Sequence, residues 1–135
     1  KDFLAAREFF RQSCHEIGRS EDEIKEAACV AARAARICSD AEDFFKYALK
    51  VIACEGCSEI CCELGEYYLQ KQDIDEAVIW FYNGAFETES ILNIHSGGDL
   101  PLAGLARCYR AAGNEEQAAE YERLAGEWKV PEEDT

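Results

Sequence analysis

The chain is poor in the residues that break helices or bind nucleic acid. Among 135 residues there are only 2 Pro and 2 His. With so little Pro and no long polar or Gly/Ser-rich stretch, extended disorder is excluded for all but the end of the chain. The acidic tail 131–135 is the one segment expected to be unstructured, leaving 1–130 as a single domain. No apolar run approaches the ~20 residues that a membrane-spanning helix needs, so membrane insertion is not expected. No secretory signal is visible. Positive charge is also scarce: 14 Lys and Arg stand against 28 Asp and Glu, a formal net charge of -14. Nucleic-acid binders displace counterions with a basic stripe, and none is present, so nucleic acid is a poor partner. The two histidines, His15 and His95, have no neighbours that suggest a triad or a metal set.

What the chain does contain is helix. Seven helices are expected. The first covers about 2–16, with Phe3, Ala6, Phe10 and Ile17 on one side and Gly18 at its end. Ser20-Glu21-Asp22-Glu23 is a capping box for an alanine-rich second helix running to about Cys38. Asp40 caps the third, where Phe44, Phe45, Ala48, Leu49 and Ile52 form an apolar stripe; Gly56 breaks it. The fourth runs over about 58–71 with Ile60, Cys61, Leu64 and Tyr68 inward. The fifth opens at Asp73 and is apolar nearly all round from Ala77 to Phe86, which predicts burial between neighbours. After a longer connection at 89–98, Asp99 caps the sixth helix, which ends near Gly113. Asn114 caps the seventh, which carries Ala118, Tyr121, Ala125 and Trp128. All links but one are short, so consecutive helices should be antiparallel neighbours.

An internal repeat decides the expected architecture. Cys61-x-x-Leu64-Gly65-x-x-Tyr68 followed by Ala77-x-x-x-Phe81 is matched by Leu102-x-x-Leu105-Ala106-x-x-Tyr109 followed by Ala118-x-x-x-Glu122. These residues carry a resemblance to the tetratricopeptide repeat (TPR). The resemblance implies an all-α fold: an α-α superhelix of antiparallel helix hairpins, a TPR-like solenoid of about seven helices. Small residues at Gly65 and Ala77 would let paired helices close, and Phe81 would fill the space toward the next pair. The second and third helices read as a degenerate repeat of uncertain register. Glu122, standing where Phe81 stands in its counterpart, suits a terminal cap.

The string Glu59-Ile60-Cys61-Cys62-Glu63-Leu64-Gly65, with Tyr68 and then Ala77-x-x-Trp80-Phe81, is more specific, as are Leu100-Pro101 and Leu105-x-x-Cys108-Tyr109. Together they resemble the helical C-terminal region of TPR-containing family 2 glycosyltransferases of clostridia-like bacteria. That resemblance is strongest over 58–80, moderate over 100–119 and weak before Cys54. It implies a catalytic domain elsewhere in a longer bacterial protein, and the start on Lys1, already in helical pattern, reads the same way. The 89–98 connection lacks the aromatic and Pro-rich character of that family. Asp73-Ile74-Asp75 matches the family's Asp-x-Asp metal motif by letters alone and is read as a helix cap. No catalytic residue carries over.

Chemistry in the fragment itself is expected to be absent. Eight cysteines are present, and Cys54, Cys57, Cys61 and Cys62 cluster around a helix break. Adjacent Cys61 and Cys62 point about 100° apart on a helix, so a four-thiol metal site is strained. A Cys54/Cys57 redox pair is the other alternative; reduced thiols used as small core residues in a cytoplasmic protein fit best. No cofactor and no metal are expected. The candidate binding surface is the face formed by the first helix of each hairpin: Glu59, Cys62, Glu63, Glu66, Leu69 and Gln70, then Ala103, Arg107 and Arg110. A segment with basic residues would suit its acidic part. The Lys and Asn residues by which the chaperone-binding TPR subclass clamps a terminal carboxylate are missing there. Asn93, His95 and Asp99 are candidate ligand contacts in the long connection. The function expected is a non-catalytic protein-protein interaction or scaffold module whose partner is a protein or peptide segment, another domain of the same chain included. The alternative is a peptide-sensing regulatory receptor domain.

Overall fold

The computed structural model describes residues 20–54, 56–88 and 99–127. Every regular element in them is helical: α1 (Glu21–Ile37), α2 (Ala41–Ala53), α3 (Ser58–Gln70), α4 (Ile74–Tyr82), continued by a π-helical turn (Asn83–Glu87), α5 (Asp99–Ala111) and α6 (Glu115–Glu127). The expected all-α class is what the described residues show, with six α-helices among them. The helix expected over 2–16, its Gly18 end, Trp128 and the tail 131–135 lie outside the described residues.

Local chemistry starts these helices where the sequence places them. Ser20 and Glu23 form the complete capping box: the Glu23 N–H donates to Ser20 Oγ at 3.1 Å, and the Ser20 N–H donates to the Glu23 carboxylate at 2.9 Å. Asp40, Asp73 and Asn114 each accept a backbone N–H three residues on, from Asp43, Glu76 and Gln117, at 3.1, 3.4 and 3.1 Å. Asp99 differs. It is the first residue of α5 rather than the residue before it.

The six helices pair as α1 with α2, α3 with α4 and α5 with α6, and these pairs pack on one another in chain order. Each pair closes through the same turn. Ser39, Gln72 and Gly113 take the left-handed conformation, with φ of 61°, 66° and 86°. The N–H of the following residue (Asp40, Asp73 or Asn114) returns to the carbonyl of Ala35, Tyr68 or Tyr109 at 2.9, 2.9 and 2.8 Å. This is a Schellman closure running directly into an N-cap. It recurs after 33 residues from Ser39 to Gln72 and after 41 from Gln72 to Gly113. A third hairpin of the same construction is thereby in register with the other two. Ala31, Ala32 and Ala35 of α1 stand where Leu64, Gly65 and Tyr68 stand in α3. All three alanines are buried.

Two apolar clusters hold the stack. In one, the alanine face of α1 meets Phe44, Tyr47, Ala48 and Val51 of α2, Cys57 just before α3, and Ile60 and Leu64 of α3. In the other, Ala77 and Phe81 of α4 meet Leu102, Leu105 and Cys108 of α5. The buried face of α2 is therefore turned from the expected stripe: Phe44 and Ala48 are inside, whereas Leu49 is 61% exposed and Ile52 lies at the surface. α2 carries more apolar residues than one face holds, and contact with α1 selects Tyr47 and Val51 instead. α4 corrects another expectation. Trp80 packs against the first cluster and Phe81 lies in the second. The outer side of the helix is open, with Ile79, Tyr82 and Phe86 about half exposed. It is held on two sides rather than enclosed.

Candidate functional site

The first helices of the three hairpins, α1, α3 and α5, form a row in which α3 touches both others. Hydrophobic packing beneath α3 and α5 sets their separation. The Phe81 ring of α4 lies between the backbones of Gly65 on α3 and Gly104 on α5. A Cβ built at Gly65 would stand 2.7 Å from that ring, and one at Gly104 would overlap it. Arg107, on the same helix as Gly104, lies over the ring with its guanidinium carbon 5.7 Å from the centroid.

Ion pairs link the row. Arg36 of α1 donates from Nε to Glu63 of α3 at 2.8 Å, with both side chains largely buried. Arg107 of α5 meets Glu66 of α3 through two parallel hydrogen bonds, Nη1 to Oε1 at 3.2 Å and Nη2 to Oε2. The Glu66 carboxylate in turn holds the Arg107 guanidinium above its ordinary value. Burial, the largest influence on Glu63, raises its carboxyl above the usual range, and Arg36 opposes that rise.

The residues singled out on this face are thus dispersed among different roles. Glu63 and Glu66 face cations of the flanking helices. Cys62 is largely covered, and burial pushes its thiol up. Leu69 packs against the second cluster. Gln70 is exposed, Glu59 and Ala103 are half-buried, and Arg110 turns toward its own hairpin, paired with Glu115 at 3.1 Å and Glu122 at 2.6 Å. Glu122, the residue read as a terminal cap, has its polarity matched by Arg110. Asn93 and His95 lie outside the described residues, as does the side chain of Asp99.

One concave feature borders this face, and sequence reasoning missed it. A cleft of about 500 Å³ opens between the α1–α2 turn and the end of α3. Its lining includes Arg36, Asp40, Phe44, Tyr67, Gln70 and Lys71. Phe44 and Tyr67 stack with ring centroids 5.0 Å apart, and Lys71 Nζ lies 5.6 Å from the Tyr67 centroid. The left-handed turn at Ser39 brings Asp40 and Ala41 to one side of the cleft. No Gly at that position signals the turn in the sequence.

Among the described residues, no group of three or more His, Cys, Asp or Glu is arranged to hold a metal ion. The Cys54–Cys62 cluster does not converge. Cys57 meets Cys29 of α1, while Cys61 lies 4.0 Å from the Thr88 hydroxyl. No described helix is long and apolar enough to cross a membrane. The chain matches no known family model, and no curated protein matches it.

Proposed function

We propose that this chain is a non-catalytic protein-protein interaction or scaffold module built as a TPR-like stack. The observation that carries this reading is the recurrence of one hairpin turn at Ser39, Gln72 and Gly113. Three like hairpins stacked in order leave their first helices side by side, and solenoids use such a row as an extended binding surface. The offset of 33 residues between the first two turns is close to the 34-residue TPR period. Phe81 against Gly104 of the next hairpin supports the same reading, because the repeat pattern has that ring fill the space toward the next pair.

On this reading the partner is a protein or peptide segment that lies along α1, α3 and α5 and anchors a side chain in the Phe44–Tyr67 cleft. Its charge preference is set by the residues left over after Glu63 and Glu66 are paired within the stack. The 58–80 resemblance further suggests an accessory region of a larger bacterial protein such as a glycosyltransferase, working in the cytoplasm. An adjoining glycosyltransferase domain in the parent gene would favour that context. A DNA-binding domain would favour the peptide-sensing alternative.

The test is affinity capture from the source cells with the wild-type chain and with Tyr67→Ala/Lys71→Glu, followed by measurement of binding with the purified partner. A saturable partner lost by the double variant supports the module and its cleft. Retention of nothing by the wild type, or equal binding by both, would overturn it.

A further inference from the structure

The α1–α3 junction holds a thiol pair that joins two different hairpins. Cys29 Sγ lies 3.4 Å from Cys57 Sγ, and both residues are buried. Cys29 sits in the middle of α1, and Cys57 is the residue that precedes α3. The sequence gives no hint of this pair, because 28 residues separate its members while Cys54 stands three residues from Cys57. Sulfurs in a disulfide lie about 2 Å apart, so bonding requires a movement of roughly 1.4 Å. The backbone beside Cys57 borders open space. Gly56 takes φ +70°, and a Cβ built on it meets nothing within 4 Å. The Gly56 carbonyl is tied to α1 by Lys25 Nζ at 3.2 Å, which keeps this end of α3 beside Cys29.

We propose that Cys29 and Cys57 form a reversible disulfide that locks the first hairpin to the second, with a peroxide as oxidant. The two sulfurs are not equivalent. The hydrogen bond with Cys29 and the first backbone N–H groups of α3 lower Cys57 below the ordinary cysteine value, against the opposing effect of its burial. The same bond, together with burial, raises Cys29. Cys57 is accordingly the attacking thiolate. Its sulfur attacks one peroxide oxygen, the O–O bond breaks, and hydroxide leaves and is protonated to water. The product is a Cys57 sulfenic acid. Cys29 sulfur then attacks Cys57 sulfur. The S–S bond forms as the S–O bond breaks, and the departing hydroxide takes the Cys29 proton as a second water. Two thiols lose two electrons in total, and one peroxide gains them. A thiol reductant reverses the bond by exchange.

The reduced, folded, full chain treated with hydrogen peroxide, alkylated and mapped by mass spectrometry tests this directly. The expected product is a Cys29–Cys57 linked peptide, lighter by two hydrogens, with a rise in Tm on the order of 10 °C that a thiol reductant abolishes. The Cys54→Ser variant should form the same link. Cys29→Ala should instead leave a Cys57 sulfenic acid that a dimedone-type probe captures. Oxidation that yields Cys54–Cys57, a link between chains, or no Cys57 product while other thiols react would overturn the proposal. The outcome on the wild-type chain stands even if Cys29→Ala fails to fold.

Discussion

The ring of Phe81 occupies the space that a Cβ on Gly104 would need, although the two residues belong to different hairpins. Gly65 makes the same concession from the other side of the ring. One aromatic side chain therefore sets the spacing of α3 and α5, and with it the reach over which Arg107 meets Glu66.

Gly104→Ala should therefore destabilise the fold even though alanine is the better helix former. The intrinsic gain is about 1 kcal/mol, and forcing a methyl into a filled interface costs about 1–3 kcal/mol. The net loss expected in urea unfolding is the difference, up to about 2 kcal/mol. Gly126→Ala, where an added Cβ meets nothing, should be neutral or stabilising by less than about 1 kcal/mol. A loss at Gly126 equal to that at Gly104 would show that packing on Phe81 is not the cause.

Gln72 holds a left-handed backbone that a side chain disfavours, and it is exposed. Gln72→Gly should raise stability by about 0.5 kcal/mol, the relief of strain being partly offset by the freer unfolded chain. Thermal unfolding reads this as a small increase in Tm. A decrease would mean that the Gln72 side chain supports the turn.

Arg36→Met should leave the Glu63 carboxylate covered and without its guanidinium. Because burial raises Glu63 in the folded state, the folded chain binds that proton more readily than the unfolded chain does. Stability falls as pH rises from the ordinary glutamate value through the raised one. Removing Arg36 widens that interval. The variant should lose about 2–3 kcal/mol at neutral pH and distinctly less in mild acid, where Glu63 is protonated. Denaturant titrations at the two pH values make the comparison. Arg110→Ala, which breaks exposed pairs alone, should show little change at either pH.

Ser58 is a buried hydroxyl that donates to the Gly84 carbonyl at 3.0 Å, inside the π-helical turn that follows α4. Gly84 itself sits 3.2 Å, in Cβ terms, from Cys61 and 3.3 Å from Pro101. Ser58→Ala should orphan that carbonyl and cost about 1–2 kcal/mol, with faster amide exchange over 83–88 as the specific signature. Stability equal to wild type would show that the carbonyl has found another donor.

Helix starts were legible because capping is local. Ser20 with Glu23, Asp40, Asp73 and Asn114 each act on an N–H within three residues. That Phe81 fills the space toward the next pair was legible from the repeat pattern, whereas the residue it meets there, Gly104, was not, because that residue is 23 positions away in another hairpin. The cleft depends on the left-handed turn at Ser39, which carries no glycine to announce it.

By itself, the sequence determined that these segments are helices, where most of them begin, and which positions must stay small for paired helices to close, since those choices rest on short-range patterns along the chain. The tertiary structure alone decided the register of the alanine-rich hairpin, the pairing of Glu63 and Glu66 with cations from adjacent helices, the open outer side of α4 and the meeting of Cys29 with Cys57. Each of those depends on how far apart two hairpins sit and at what rotation. That is a property of interdigitated side chains from several helices, and no single segment encodes it.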